Sequence, residues 1–145
     1  MRSLGLDVGD KRIGVALSDP LGILARPLMV LQRQDDEADI SAILALVKQH
    51  SVELIIAGLP RSMDGSLGFQ AEKAQAFIQQ IRLNTALTIE LRDERLSTVS
   101  AKRLLRECGK KNSPKEKIEY DAAAAAVILQ SFLDEAKPFP LPPPD

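Results

Sequence analysis

The sequence predicts an α/β fold, a mixed five-stranded sheet flanked by helices in the order β-β-β-α-β-α-β-α-α. Strand signals at 3–8, 12–18 and 26–32 precede any helical pattern, and the first two are joined by a turn short enough for a hairpin. Later strand signals alternate with helical ones, which favours parallel addition to the sheet. With 145 residues and no internal repeat, the chain is predicted to form one domain, residues 1–136.

The middle of the chain predicts two helices and two further strands. The first helix covers 36–49 and the second begins after a loop that follows Gly58. Residues 53–58 form a continuous apolar run, typical of a strand covered on both faces, and 87–91 form the fifth strand. The buried stripes of the two helices are Ile40, Ile43, Leu44 and Val47 in the first, and Ala74, Phe77, Ile78 and Ile81 in the second.

Two helices and a tail are predicted at the end of the chain. Ser97 is a plausible N-cap for a helix that runs to about Cys108, where Gly109 ends it. A capping box at 113–116 begins the last helix, which continues to about Glu135. Five of the last eight residues are proline, so 137–145 are predicted to be an extended or disordered tail.

Composition narrows the class of protein. Hydrophobic residues make up 45% and charged residues 27%, which is ordinary for a globular protein, and no run of about 18 apolar residues exists. No signal peptide is expected, because Asp7 interrupts the apolar start. A single cysteine excludes an intramolecular disulfide and suits the reducing cytoplasm. We therefore expect a cytoplasmic protein that contacts no membrane.

Charge is distributed unevenly along the chain. The net charge is −1, yet residues 102–117 contain seven basic side chains and two acidic ones. Such a segment is either the electrostatic footprint of a polyanion or a solvated helix and loop.

Asp7 is the most unusual side chain of the first strand. An isolated buried carboxylate is costly unless it is paired or holds a metal. Because Gly9 and a basic turn follow, Asp7 indicates either a ligand site or a structural cap of the turn. Asp121 is a second such acid, since it shares a helical face with apolar residues expected to lie on the sheet. Asp93 and Glu94 follow the fifth strand, so the three acidic positions can converge at one edge of the sheet.

A cluster of carboxylates without histidine or cysteine favours hard, oxygen-binding cations. Mg²⁺ or Mn²⁺ fits this donor set, and zinc does not. Two such ions can activate a water and stabilise the leaving oxygen in phosphodiester hydrolysis. The sequence therefore predicts a site for Mg²⁺ or Mn²⁺, with two ions in the nuclease chemistry. Its candidate ligands are Asp7, Asp93, Glu94 and Asp121, and the choice between Asp93 and Glu94 stays open.

Four motifs in this order resemble the pre-16S rRNA nuclease family, also called YqgF-type or Holliday-junction-resolvase-like. The first motif alone is weak, because actin-like kinases and ATPases open with a similar turn, but those proteins need two such subdomains. The motifs span most of residues 3–135. They are Leu6-Asp7-Val8-Gly9 with Lys11-Arg12-Ile13-Gly14-Val15-Ala16, Gly58-Leu59-Pro60 with Met63-Asp64-Gly65-Ser66, Asp93-Glu94-Arg95-Leu96-Ser97-Thr98, and Asp121-Ala122-Ala123-Ala124.

The resemblance implies an RNase H-like nuclease domain and a metal-dependent nuclease with catalytic Asp7, Glu94 and Asp121. Asp93 is the alternative to Glu94. The chain departs from related resolvases at the end of its fourth strand, where Gly58 and Leu59 replace an acid, so the pair after the fifth strand has to substitute for it.

The expected partner is nucleic acid, either the 5′ end of pre-16S rRNA or branched DNA, with ribosomal particles as a further partner. A non-catalytic nucleic-acid-binding module of the same fold is a third alternative, and monomer and homodimer both stay open. Nine basic residues are candidate nucleic-acid ligands, with ordinary surface charges as the alternative interpretation: Lys11, Arg12, Arg95, Lys102, Arg103, Lys110, Lys111, Lys115 and Lys117.

Overall fold

The computed structural model describes residues 1–59, 69–93 and 114–136; within these ranges, the side chains of Leu59, 69–71, Asp93, 114–120 and Ala136 are outside the description. The predicted helix at 97–108, the cap at Ser113 and the tail at 137–145 lie outside the described residues. The elements are β1 (Ser3–Val8), β2 (Arg12–Ser18), β3 (Ala25–Gln32), α1 (Asp36–Gln49), β4 (Leu54–Leu59), α2 (Phe69–Leu83), β5 (Thr88–Asp93) and α3 (Pro114–Ala136).

The sheet is mixed, as predicted, with the strand order β3-β2-β1-β4-β5. Strands β1, β2 and β3 are joined by antiparallel pairing, and β4 runs parallel to both β1 and β5. Strand β1 is therefore central, with an antiparallel neighbour on one side and a parallel neighbour on the other. This arrangement places Asp7 near the C-terminal end of the central strand.

The two faces of the sheet are covered by different helices. Helices α1 and α2 pack against the face that carries Leu4, Leu6 and Val8. Helix α3 packs against the other face, where its apolar stripe contacts Ala16, Leu54 and Ile56. Since side chains alternate along a strand, Gly5 and Asp7 of β1 belong to this second face, which we call the α3 face. No helix in the described ranges is both long and apolar enough to cross a membrane.

Arg33 fixes the turn between β1 and β2. Its Nε donates to Asp39 Oδ2 at 2.7 Å, and its Nη1 donates to the carbonyl of Gly9 at 2.9 Å. The guanidinium also lies 4.5 Å from the ring centroid of Phe77, a cation–π contact with α2. Because Asp39 is 4% exposed, this ion pair is largely shielded from water. The turn that follows Asp7 is thus held by α1 and α2 together.

Candidate active site

Asp7 is half-buried on the α3 face and lies between two glycines. The register pairs it with Gly14 of β2 on one side and with Gly58 of β4 on the other. Neither neighbour projects a side chain across the carboxylate. Asp7 is therefore flanked by a glycine on each neighbouring strand, near the C-terminal end of the central strand.

Asp121 lies over the level of the sheet that contains Asp7 and Gly14, because the backbone of α3 crosses β2 in close contact with Gly14. A Cβ placed on Gly14 would be 2.0 Å from the carbonyl oxygen of Asp121, so only glycine permits this approach. The side chain of Asp121 shares its helical face with Ala125 and Ile128, both 0% exposed. The predicted inward face of the last helix is confirmed. Asp7 and Asp121 thus share one face of the sheet, connected through Gly14.

Arg12 neutralises Asp121. Its Nε lies 2.5 Å from Asp121 Oδ2, and the two side chains are 29% and 19% exposed. Arg12 stands two residues before Gly14 on the same face of β2, which brings it beside the helix. Sequence reasoning proposed Arg12 as a nucleic-acid ligand and did not find this ion pair. Its role toward nucleic acid stays a prediction.

The remaining predicted site residues are only partly covered by the structure. Lys11 is exposed in the β1–β2 turn, and the backbone of Asp93 ends β5 beside Leu59. In the ranges that the structure describes, no three His, Cys, Asp or Glu side chains form a group that could hold a metal. The other candidates lie outside the described residues or have side chains outside the description: Glu94, Arg95, Lys102, Arg103, Lys110, Lys111, Lys115 and Lys117.

Arg92 is a second arginine on the α3 face that the sequence did not single out. It is the register partner of Gly58, which in turn pairs with Asp7, so Arg92 lies two strands away from Asp7 at the same level of the sheet. Its guanidinium donates to Ser131 Oγ at 3.1 Å and pairs with Glu135 Oε2 at 2.7 Å. The hydrogen bond from Arg92 lowers the pKa of Glu135 below its usual value. Arg92 therefore ties the end of β5 to the C-terminal half of α3.

A cleft of about 410 Å³ lies on the opposite face of the sheet. It is lined by residues of the β1–β2 turn and of α2, among them Asp10, Lys73 and Phe77. Lys73 Nζ lies 3.9 Å from Asp10 Oδ1 across it. The cleft shares the turn with Asp7, but the two predicted catalytic acids that the structure describes are on the other face.

The mixed sheet, with an acid on its central strand and a second acid on the helix that crosses it, is the arrangement that the sequence predicts for an RNase H-like nuclease. A family model described as "RuvX: Holliday junction resolvase" matches residues 1–135. The chain therefore belongs to the RuvX family.

Bacterial relatives cover nearly the whole chain. A protein of Dehalococcoides mccartyi named "Putative pre-16S rRNA nuclease" is 50% identical over 131 residues, which are 90% of this chain and 96% of that protein. A relative of the same name from Desulforamulus reducens is 46% identical over 134 residues, covering 92% of this chain and 97% of its own length. The family-level resemblance found in the sequence is confirmed by these relatives.

Solved structures of resolvases share the fold. Thermus thermophilus RuvC in complex with a Holliday junction substrate has a TM-score of 0.56 at 15% identity, covering 93% of this chain and 94% of its own. Fowlpox virus resolvase with Holliday junction DNA has a TM-score of 0.56 at 12% identity, covering 93% and 98%. At this identity the similarity shows the fold alone, and it confirms the RNase H-like prediction.

Proposed function

We propose that this nuclease hydrolyses phosphodiester bonds in structured RNA and processes the 5′ end of pre-16S rRNA in the cytoplasm. The observation that supports it is the placement of Asp7 and Asp121 on one face of the sheet, at the C-terminal end of the central strand. The names of the bacterial relatives support the choice of RNA substrate. The family description supports one alternative, cleavage of branched DNA at a Holliday junction.

The donor chemistry at this site fits a divalent cation. Asp7 and Asp121 offer carboxylate oxygens, which suit Mg²⁺ or Mn²⁺ better than zinc. Resolvase-like nucleases generally use divalent metals, and we propose two ions here. Such ions, held by these carboxylates, would supply an activated water and charge stabilisation of the leaving oxygen. The protein contributes two carboxylates held by rigid elements, one by a central strand and one by a packed helix.

We assign Glu94 as the third acid, with Asp93 as the alternative. The register pairs Glu90 with Ile56 and Arg92 with Gly58, so the even-numbered residues of β5 belong to the α3 face. If the alternation of β5 continued one residue beyond its described end, position 94 would be the next of this series. This argument favours Glu94 over its neighbour for a place beside Asp7 and Asp121.

The basic residues are proposed to hold backbone phosphates. Lys11 is exposed in the turn two residues after Gly9, at the same end of the sheet as Asp7. The segment 102–117 carries a local excess of positive charge. Phosphate contacts position a nucleic acid without reading its sequence, so substrate choice would depend on the shape of the RNA.

Cleavage assays on two substrates test the proposal. A precursor fragment spanning the 5′ end of 16S rRNA and a four-way DNA junction are incubated with Mg²⁺, with Mn²⁺ and with EDTA. We expect metal-dependent cleavage of the RNA and none in EDTA; preferential cleavage of the junction would favour the alternative function.

The site assignment is tested with matched variants. Asp7→Asn and Asp121→Asn should each abolish cleavage while the protein stays folded, because an amide cannot replace a carboxylate as an anionic metal ligand. Asp134→Asn changes an exposed acid on the same helix, 13 residues after Asp121, and should cleave at the normal rate. Undiminished cleavage by Asp7→Asn or Asp121→Asn would refute the assignment.

A further inference from the structure

Arg12 forms an ion pair with the carboxylate of Asp121, which the proposed function requires as a metal ligand. Its Nε lies 2.5 Å from Asp121 Oδ2, a short charge-assisted contact. Both side chains are partly buried, so the attraction is less screened by water than in an exposed pair. A divalent cation that uses this oxygen has to compete with the guanidinium.

When a cation competes with Arg12 for Asp121, the helix backbone at Asp121 is held in place, whereas the side chain of Arg12 can move. The backbone of Asp121 is seated on Gly14, and the next turns of α3 are fixed by Ala125 and Ile128, which are fully buried. Arg12 stands at the first position of β2, next to the turn, and its long side chain is 29% exposed. An exchange of partners at Asp121 therefore moves the guanidinium and leaves the carboxylate in place.

We propose that Arg12 is an internal counter-ion of Asp121 that a divalent metal displaces, and that the released guanidinium then binds a backbone phosphate of the substrate. This inference rests on the proposed metal site. In the metal-free protein Arg12 holds Asp121 neutralised and positioned. With metal bound, the same side chain lies beside the acids with its donors available, and guanidinium matches phosphate geometry well. Arg12 thus couples metal binding to nucleic-acid binding.

Calorimetric titration of Mn²⁺ into the nuclease-competent full chain tests the competition. Arg12→Gln removes the competing charge and should lower the Kd for Mn²⁺ about fivefold, or about 1 kcal/mol. Lys11→Gln removes the same charge one residue away, without the contact to Asp121, and should change the Kd less than about twofold. A misfolded variant would bind Mn²⁺ more weakly, so tighter binding cannot arise from lost structure. If Arg12→Gln does not fold, Arg12→Met takes its place.

Binding of the precursor RNA fragment, followed by fluorescence anisotropy in EDTA and in Ca²⁺, tests the second half. The factor by which Ca²⁺ raises the affinity for RNA should be at least about threefold larger for the unaltered protein than for Arg12→Gln.

Three results would overturn the inference or one half of it, in distinguishable ways. Equal or weaker Mn²⁺ binding by Arg12→Gln, beside normal binding by the unaltered protein, refutes the counter-ion role alone. Absence of Mn²⁺ binding in the unaltered protein and in every variant refutes the proposed metal site, and the counter-ion role falls with it. An equal gain of RNA affinity on adding Ca²⁺, in both proteins, refutes the transfer of Arg12 to phosphate.

Discussion

The substitution Gly14→Ala tests whether the site depends on the close approach of α3 to β2. The added Cβ would lie 2.0 Å from the carbonyl oxygen of Asp121, 2.5 Å from its carbonyl carbon and 3.2 Å from the nitrogen of Ala122. All three are backbone atoms, so no change of rotamer relieves the clash. Ordinary contact begins near 3.4 Å, and the helix must therefore retreat by about 1.4 Å. Strand β2 cannot move instead, since it is paired on both edges.

Two magnitudes follow from this displacement. Overpacking of a well-packed interface costs about 1–3 kcal/mol, which a urea unfolding curve resolves. A misplacement of about 1 Å at a reacting centre lowers the rate about 100-fold. Cleavage of the precursor RNA by Gly14→Ala should fall by about this factor under conditions in which the variant is folded.

Gly5→Ala is the matched control for Gly14→Ala. Its Cβ would lie 2.8 Å from Leu129 Cβ and 3.0 Å from the carbonyl oxygen of Ala125, so it also presses on α3, but one to two turns beyond Asp121. We expect a comparable loss of stability with a smaller loss of cleavage. If Gly14→Ala unfolds at the same urea concentration as the unaltered protein, the close approach is refuted. Equal loss of cleavage in the two folded variants would refute the dependence on the position of Asp121.

Three further predictions concern stability and binding. Asp39→Asn should lower the free energy of unfolding by about 3 kcal/mol in a urea titration, since it removes the buried partner of Arg33; an unchanged midpoint would contradict this. Arg92 lowers the pKa of Glu135 below 4.5, so the stabilising effect of this ion pair is present above pH 4.5 and is lost as the pH falls through the lowered pKa. The difference in urea midpoint between the unaltered protein and Glu135→Gln should therefore shrink on acidification. A difference that stays constant with pH would contradict the role of the ion pair. RNA affinity should fall steeply with salt if the segment 102–117 contacts phosphates, and a flat response would count against it.

The order of the strands and the bounds of the first two were predictable because the local patterns agree with the final fold, whereas the bounds of the other three strands differ from the predicted ones by one or two residues. The predicted limits 3–8 and 12–18 coincide with β1 and β2. Apolar stripes in α1 and α2 and the inward face of α3 follow directly from helical periodicity. The same periodicity predicts that Asp121 lies on the sheet-facing side of α3.

Contacts across long stretches of chain were not predictable in this way. Arg12 and Asp121 are separated by 109 positions, and nothing in the local pattern of either residue specifies the partner. Arg92 was passed over for the same reason, since its partners Ser131 and Glu135 lie 39 or more positions later. An ion pair depends on how elements pack, and packing is a property of the whole fold. From the sequence, Arg12 is consequently predicted to be a phosphate ligand or an ordinary surface charge, whereas in the structure it contacts Asp121, one of the predicted site acids.

The glycines beside Asp7 connect the stability of the fold with its proposed chemistry. Gly14 was visible in the sequence only as part of a family motif, and the register gives it a physical role: it lets α3 rest on β2 at the level of Asp7. Leu129 and Ile128, both fully buried, hold the helix there. The position of Asp121 relative to Asp7 is therefore set by the packing of α3 as a whole. A cavity made at Leu129, about 12 Å along the helix, is expected to loosen Asp121 as well as to destabilise the protein.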